Sequence, residues 1–170
     1  MAMYEAIEPY YIQLLRIGWQ DGGDTVGAVL GAFNLDNPFV QLILKDLAQR
    51  VKGIDDTTRE RIQSVIGRTD LSVAEQTQLL LDMAVTESKT RAELIARTES
   101  ASAAEQGNHL AWVASGQVGG KEWLVADDAC PICSEFAGKV VGLDEEFADG
   151  IRHPPAHPAC RCATAPILKD

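Results

Sequence analysis

Apolar positions recur at helical spacing through the first two-thirds of the chain. Over residues 4–19, Ile7, Tyr11, Leu14 and Gly18 fall on one face in three- and four-residue steps. Asp21-Gly22-Gly23 reads as a break. Val26, Val29, Leu30 and Phe33 resume the spacing and predict a second helix over 25–33. Asn37-Pro38 reads as a cap with proline at the first helical position, opening a third helix over 39–51 with Val40, Ile43, Leu47 and Val51 in register. Three capping boxes follow, Thr57/Glu60, Ser72/Glu75 and Thr90/Glu93. The first predicts a helix ending near Gly67 and the second a helix over 73–85. The third predicts a long helix with Leu94, Ile95 and Thr98 inward, reaching about Ser115, with Gly107-Asn108 as a candidate split. No period repeats along the chain, which argues against a solenoid.

The pattern changes at Gly116. Gly116, Gly119 and Gly120 read as a turn-rich hinge, residues 123–125 and 138–141 as short strands, and the prolines at 154, 155 and 158 forbid helix. The predicted fold is α+β and mostly α, a helical body followed by a small β/loop unit. Its divisions are an N-terminal helical segment (1–53), a helical part (54–116) and the β/loop unit (117–170). A unit of about 50 residues buries little apolar surface on its own, and a bound metal supplies the missing stability.

Composition narrows the classes. With 170 residues and 46% apolar content the chain suits one globular domain. No apolar run approaches the ~18 residues of a membrane span. Glu5 and Glu8 stand where a secretory signal wants positive charge, so no signal peptide is expected. The net charge is −10, and residues 121–150 hold eight acids and two bases. A non-specific DNA binder wants a basic face, so the charge points to a protein or metal partner instead.

All four cysteines lie at 130, 133, 160 and 162. Disulfides therefore do not hold the first 129 residues, and clustered cysteines without an export signal read first as metal ligands. The pattern is Cys-x2-Cys, 23 residues, then His-x2-Cys-x-Cys. Zinc takes four soft or borderline ligands in a tetrahedron. Cys130 and Cys133 supply one pair, and His157, Cys160 and Cys162 offer three donors for two places, with His153 a further candidate. A redox Cys-x-x-Cys wants a setting that lowers a thiol pKa, and Asp127 and Asp128 act the other way. A catalytic zinc keeps an open position beside a general base, whereas this chain has ample ligands, no His-Glu-x-x-His and no His-x-Glu upstream of the cysteines. The expectation is a closed structural zinc site in a non-enzyme, with a zinc-dependent hydrolase or nuclease as the alternative and a zinc-ribbon adaptor as a third reading.

Other features are weaker. Gly119-Gly120-Lys121 lacks the flanking residues of a phosphate loop. Glu93 and Arg97 are spaced for a surface ion pair on a helix. The alternative has Arg97 reach Asp127 or Asp128 and dock the helix onto the metal unit. Glu99 points to the other side of that helix. His109 reads as a packed or exposed side chain, and Trp112 and Trp123 as apolar anchors between the helical body and the metal unit.

Three stretches together resemble the phage Mu protein F-like family of minor head, or head morphogenesis, proteins of tailed phages and prophages. They are Arg91-Ala92-Glu93-Leu94-Ile95-Ala96-Arg97-Thr98-Glu99, the knuckle Asp128-Ala129-Cys130-Pro131-Ile132-Cys133 with Gly138-Lys139-Val140, and Pro155-Ala156-His157-Pro158-Ala159-Cys160-Arg161-Cys162. The likeness spans roughly residues 50–165, leaving 1–50 without a family signal. It implies a virion or procapsid component made in the bacterial host cytoplasm. It also implies association with the portal vertex and a role in capsid assembly or genome packaging and delivery. The implied partners are the portal protein and a scaffold or major capsid protein, with packaged DNA a weaker expectation and no membrane. Arg97, Glu99 and Asp128 gain weight as organising residues from their place in the motifs. Some longer members carry a toxin domain after the zinc motif. The expectation here is none, since eight residues follow Cys162.

Overall fold

The computed structural model describes residues 3–66 and 88–169, together with 68, 70, 75, 78 and 79. Among these, the elements are helices α1 (Met3–Thr25), α2 (Pro38–Ile66) and α3 (Ser88–Ser115), strand β1 (Val118–Leu124), the short helix α4 (Pro131–Ser134), and strands β2 (Val140–Gly142) and β3 (Ala163–Leu168). About half of the chain is helical and the strands form one small antiparallel sheet, so the α+β, mostly helical reading holds. The chain forms two compact units, Met1–Glu8 with Leu35–Leu94 and Pro9–Asn34 with Ile95–Asp170.

In the first unit α2 begins where the sequence places it. The Phe39 amide donates to the Asn37 side chain at 2.9 Å and Pro38 takes the first helical position. Val40, Leu44 and Leu47 are buried and Ile43 half-buried, a face rotated slightly from the predicted one. The helix then continues to Ile66 without a stop, so the separate helix expected at Thr57/Glu60 is part of α2. A capping box starts a helix only where the preceding backbone leaves helical geometry, and here it does not. Of the helix predicted from Ser72/Glu75, the described residues Glu75, Gln78 and Leu79 are helical, and its other residues lie outside the described ones.

In the second unit α1 runs straight through Asp21-Gly22-Gly23. Gly22 does not break the helix because its missing side chain lets α3 approach: a Cβ there would lie 2.8 Å from Asn108 Cα, and Gly18 and Gly107 serve the same crossing. A Cβ on Gly18 would lie 2.3 Å from the Ala104 carbonyl oxygen, and one on Gly107 would lie 2.4 Å from the Leu15 oxygen. Tyr11 and Leu15 are buried on the same face. The Gln106 side-chain amide donates to the hydroxyl oxygens of Tyr11 and Ser102, both at 2.8 Å. The helix ends instead at Gly27, whose φ of 66° closes a Schellman turn: Ala28 donates to the Gly23 carbonyl and Gly27 to Asp24. Residues 28–34 are not helical, contrary to the spacing of Val29, Leu30 and Phe33, and Val29 is fully exposed. The Trp19 indole holds this segment by donating to the Gly31 carbonyl.

α3 starts two residues before the predicted cap and is not split at Gly107-Asn108. Leu94, expected inward, is exposed, while Ile95 and Thr98 are half-buried. Gly116 (φ 67°) ends the helix, but Gly119 and Gly120 belong to β1 and are no hinge. β1 is the central strand in the order β2-β1-β3. Its register sets Glu122 opposite both Val140 and Ala165. β3 lies outside the two expected strands, and Pro166 interrupts its apolar alternation. Proline is tolerated there since β3 is an edge strand.

Candidate metal centre

Three segments of the second unit converge to form the centre. The first is the Cys130–Cys133 knuckle. Cys130 stands just before α4 in extended geometry (φ −69°, ψ 165°) and Pro131 takes the first helical place. The amides of Cys133 and Ile132 therefore turn back toward the Cys130 sulfur. Together with the nearby His157 ring they lower its pKa against the opposing effect of desolvation. The second is the turn at 157–160, closed by the Cys160 amide on the His157 carbonyl at 3.1 Å. Ala159 sits at φ 60°, a left-handed conformation that costs an alanine about 1 kcal/mol. The third is Cys162, at the entry to β3.

His157 Nε2 lies 3.2 Å from Cys130 Sγ and 3.1 Å from Cys133 Sγ, and Cys133 Sγ lies 3.6 Å from Cys160 Sγ. Two donor triads result, Cys130–Cys133–His157 and Cys133–Cys160–Cys162, each with all ligand atoms within 4.8 Å of one another. Cys133 belongs to both. Ligands in a tetrahedral zinc site stand ~3.5–3.8 Å apart, from bond lengths of ~2.3 Å to sulfur and ~2.0 Å to nitrogen. The donor chemistry thus suits a thiophilic ion such as zinc; the Cys133–Cys160 spacing matches that geometry, and the two sulfur contacts of His157 are somewhat closer than it requires. All four cysteines are free thiols.

The surroundings act on the thiols in opposite directions. Burial works against the Cys162 thiolate, yet its pKa falls because the Ala126 amide and the Trp123 indole N–H face the sulfur. Burial raises the Cys133 thiol above its ordinary range, most strongly of all the causes acting on it. A neutral thiol is held there until something positive replaces the proton. Trp123 also packs its ring at 4.9 Å from both Phe136 and Phe147, forming a small core that includes Cys133, Cys160 and Cys162. His157 Nδ1 lies 2.8 Å from the Pro158 carbonyl, which orients the ring with Nε2 toward the sulfurs.

The motif residues divide. Arg97 is exposed, and Asp128 pairs with Arg161 of the closing motif rather than with Arg97. The tie between α3 and the closing turn is made by Thr98, whose hydroxyl accepts from the Ala159 amide at 3.1 Å. Glu99 is half-buried. The sequence reading passed over Thr98's polar role, Arg161 and Glu105, although Thr98 and Arg161 stood inside the quoted motifs. Glu105 is buried on α3 and accepts from the Thr164 amide and hydroxyl. Burial pushes its carboxyl up to about 7 despite those two bonds.

His153 is not among the metal-capable donors. Its charge acts on His109, which also faces Lys121 and lies 3.9 Å from Asp144. Burial chiefly, then Lys121, lowers His109 to about 4, so the ring is neutral near pH 7. Lys121 is fully buried, its ammonium 5.6 Å from the Phe147 ring with no hydrogen-bond partner. Burial chiefly, then the charge of Arg152, pushes Lys121 down to about 8. Trp112, against Val26 and Val118, serves as the expected anchor between helix and sheet, whereas Trp123 packs within the sulfur core among residues of the β/loop unit itself.

A family model for phage Mu protein F like protein matches residues 43–165. The chain belongs to the phage Mu protein F like family. The Mu F match takes in α3, the knuckle, the closing turn and the first half of β3, so every donor of the centre lies inside it. The Mu F-like family is one of structural phage head proteins. No curated protein and no solved structure matches the chain.

Proposed function

We propose that this chain is a structural minor head protein acting at the portal vertex in capsid assembly or genome packaging, with a zinc ion as an internal staple. Cys130 and Cys133 hold the ion together with two of His157, Cys160 and Cys162. The gathering of five soft and borderline donors from segments more than 20 residues apart carries this reading. Bound zinc supplies structural charge compensation for the thiolates, and the chain's own residues orient them: the amides of Ile132, Cys133 and Ala126, the Trp123 indole, and the Pro158 carbonyl behind His157. Family membership supports the head role, and the acidic charge favours partners such as portal, scaffold or major capsid protein over bare DNA.

Metal analysis with zinc-edge X-ray absorption on the purified chain tests the centre. One zinc per chain with only sulfur and nitrogen neighbours is expected. An oxygen neighbour together with turnover of a phosphodiester or peptide would replace this reading with a hydrolase. For the assembly role, particles formed with Cys133→Ser should lack the protein or package less DNA than wild-type particles, and normal particles would overturn it.

A further inference from the structure

The sheet has two faces, and only one is used by the features above. Trp123, Lys121 and Thr164 point inward and are buried. On the other face the register sets Leu124 beside Ala163, Glu122 between Val140 and Ala165, and Gly120 between Gly142 and Ile167. Leu124, Val140 and Ile167 are 45%, 55% and 38% exposed, with only glycine, alanine and Glu122 among them. This is an apolar platform open to solvent on a sheet whose other side is packed.

The edges of the sheet are closed to strand addition. On β3 the Thr164 amide is taken by Glu105 and Pro166 has no amide. On β2, three residues long, the Gly142 amide is taken by Glu145 at 2.8 Å. A partner therefore meets the face and not the edge. Strands β1 and β3, seven and six residues long, with the three-residue β2 on the other side of β1, make a platform ~20 Å long and, where all three strands lie side by side ~4.8 Å apart, ~10 Å wide, the footprint of one helix of about 14 residues. Charge narrows the occupant further. Glu122 lies on the face, Glu145 packs where a Gly142 side chain would be, and residues 121–150 carry eight acids to two bases. A second copy would set these carboxylates against their own kind. The platform also falls well short of the ~800 Å² per partner of a stable interface.

We propose that the outward face of the β2-β1-β3 sheet docks an amphipathic helix of a partner protein, its apolar stripe flanked by Lys or Arg that meet Glu122 and Glu145. The assignment rests on the sheet's register, exposure and charge and is independent of which ion the sulfurs hold.

The test uses the full chain and two fluorescent helical peptides of about 18 residues with leucines at i, i+3, i+4 and i+7. One carries Lys flanks and the other Glu flanks. The Lys peptide should bind saturably and shift the amide resonances of Gly120, Val140 and Gly142, and the Glu peptide should bind at least about tenfold more weakly. Val140→Lys, with Ile167→Ser as a second variant, should weaken the Lys peptide about tenfold while circular dichroism stays wild-type. Glu122→Gln with Glu145→Gln should weaken it several-fold and flatten its salt dependence. No binding, equal binding of both peptides, or indifference to Val140→Lys and Ile167→Ser would overturn the proposal. So would self-association of the chain that Val140→Lys abolishes, which would give the face to a second copy.

Discussion

Glu105 is a carboxylate buried on α3 whose hydrogen-bond partners are the amide and hydroxyl of Thr164. Because desolvation raises its folded pKa from 4.5 to about 7, the folded state binds the extra proton between those values. Stability that Glu105 contributes below pH 4.5 is thus lost as pH rises toward 7. Glu105→Gln removes that titration, so its stability relative to wild type should climb over pH 4.5–7 by up to roughly 3 kcal/mol, read from denaturant melts along the pH series. A constant difference would show that the carboxylate stays ionised when buried. Comparing the variant with wild type at each pH cancels His109, whose lowered pKa acts in the opposite direction below pH 6.5. At this scale the sequence was informative about donors and silent about what orients them. Cys130, Cys133, His157, Cys160 and Cys162 were visible because zinc chemistry needs those residue types at short spacings. Glu105, Thr98 and the buried Lys121 were not, because their roles come from partners 59 and 61 residues away or from enclosure.

Among the elements, the crossing of α1 and α3 depends on glycine. The Gly107 position faces the Leu15 carbonyl at 2.4 Å, and backbone has no rotamer with which to yield. Gly107→Ala should therefore destabilise by about 3 kcal/mol or more in chemical denaturation, although alanine is the better helix former. Gly31→Ala, with open space around it, is the control and should be near neutral. A small effect at Gly107 would mean the helices part easily. The same residues explain two errors of element reading. Gly22-Gly23 looked like a break, yet glycine in a helix marks either an end or a close approach, and local sequence does not distinguish them. Residues 25–33 looked helical by spacing, but the Gly27 turn sends the chain out of the helix before the pattern can be used.

Across the whole molecule, the sulfur cluster lies in the same compact unit as α3 from Ile95 and as Pro9–Asn34. Thr98 to Ala159, Glu105 to Thr164 and Trp112 to Val118 join helix to sheet. Chelating the ion should therefore lower hydrogen-exchange protection in residues 95–115 along with 118–168. Loss confined to 126–162 would show instead that the metal staples only its own loops. The sequence alone determined the class of fold, the start of α2, the family likeness and the set of soft donors. Those follow from local periodicity, caps and ligand spacing, which act over a few residues. Tertiary structure decided that the glycines of α1 are a contact, that β3 completes the sheet, that Thr98 rather than Arg97 ties α3 to the closing turn, and that Asp128 belongs to Arg161. Each of these is a pairing between segments distant in the chain, and its energy exists only once both partners are brought together.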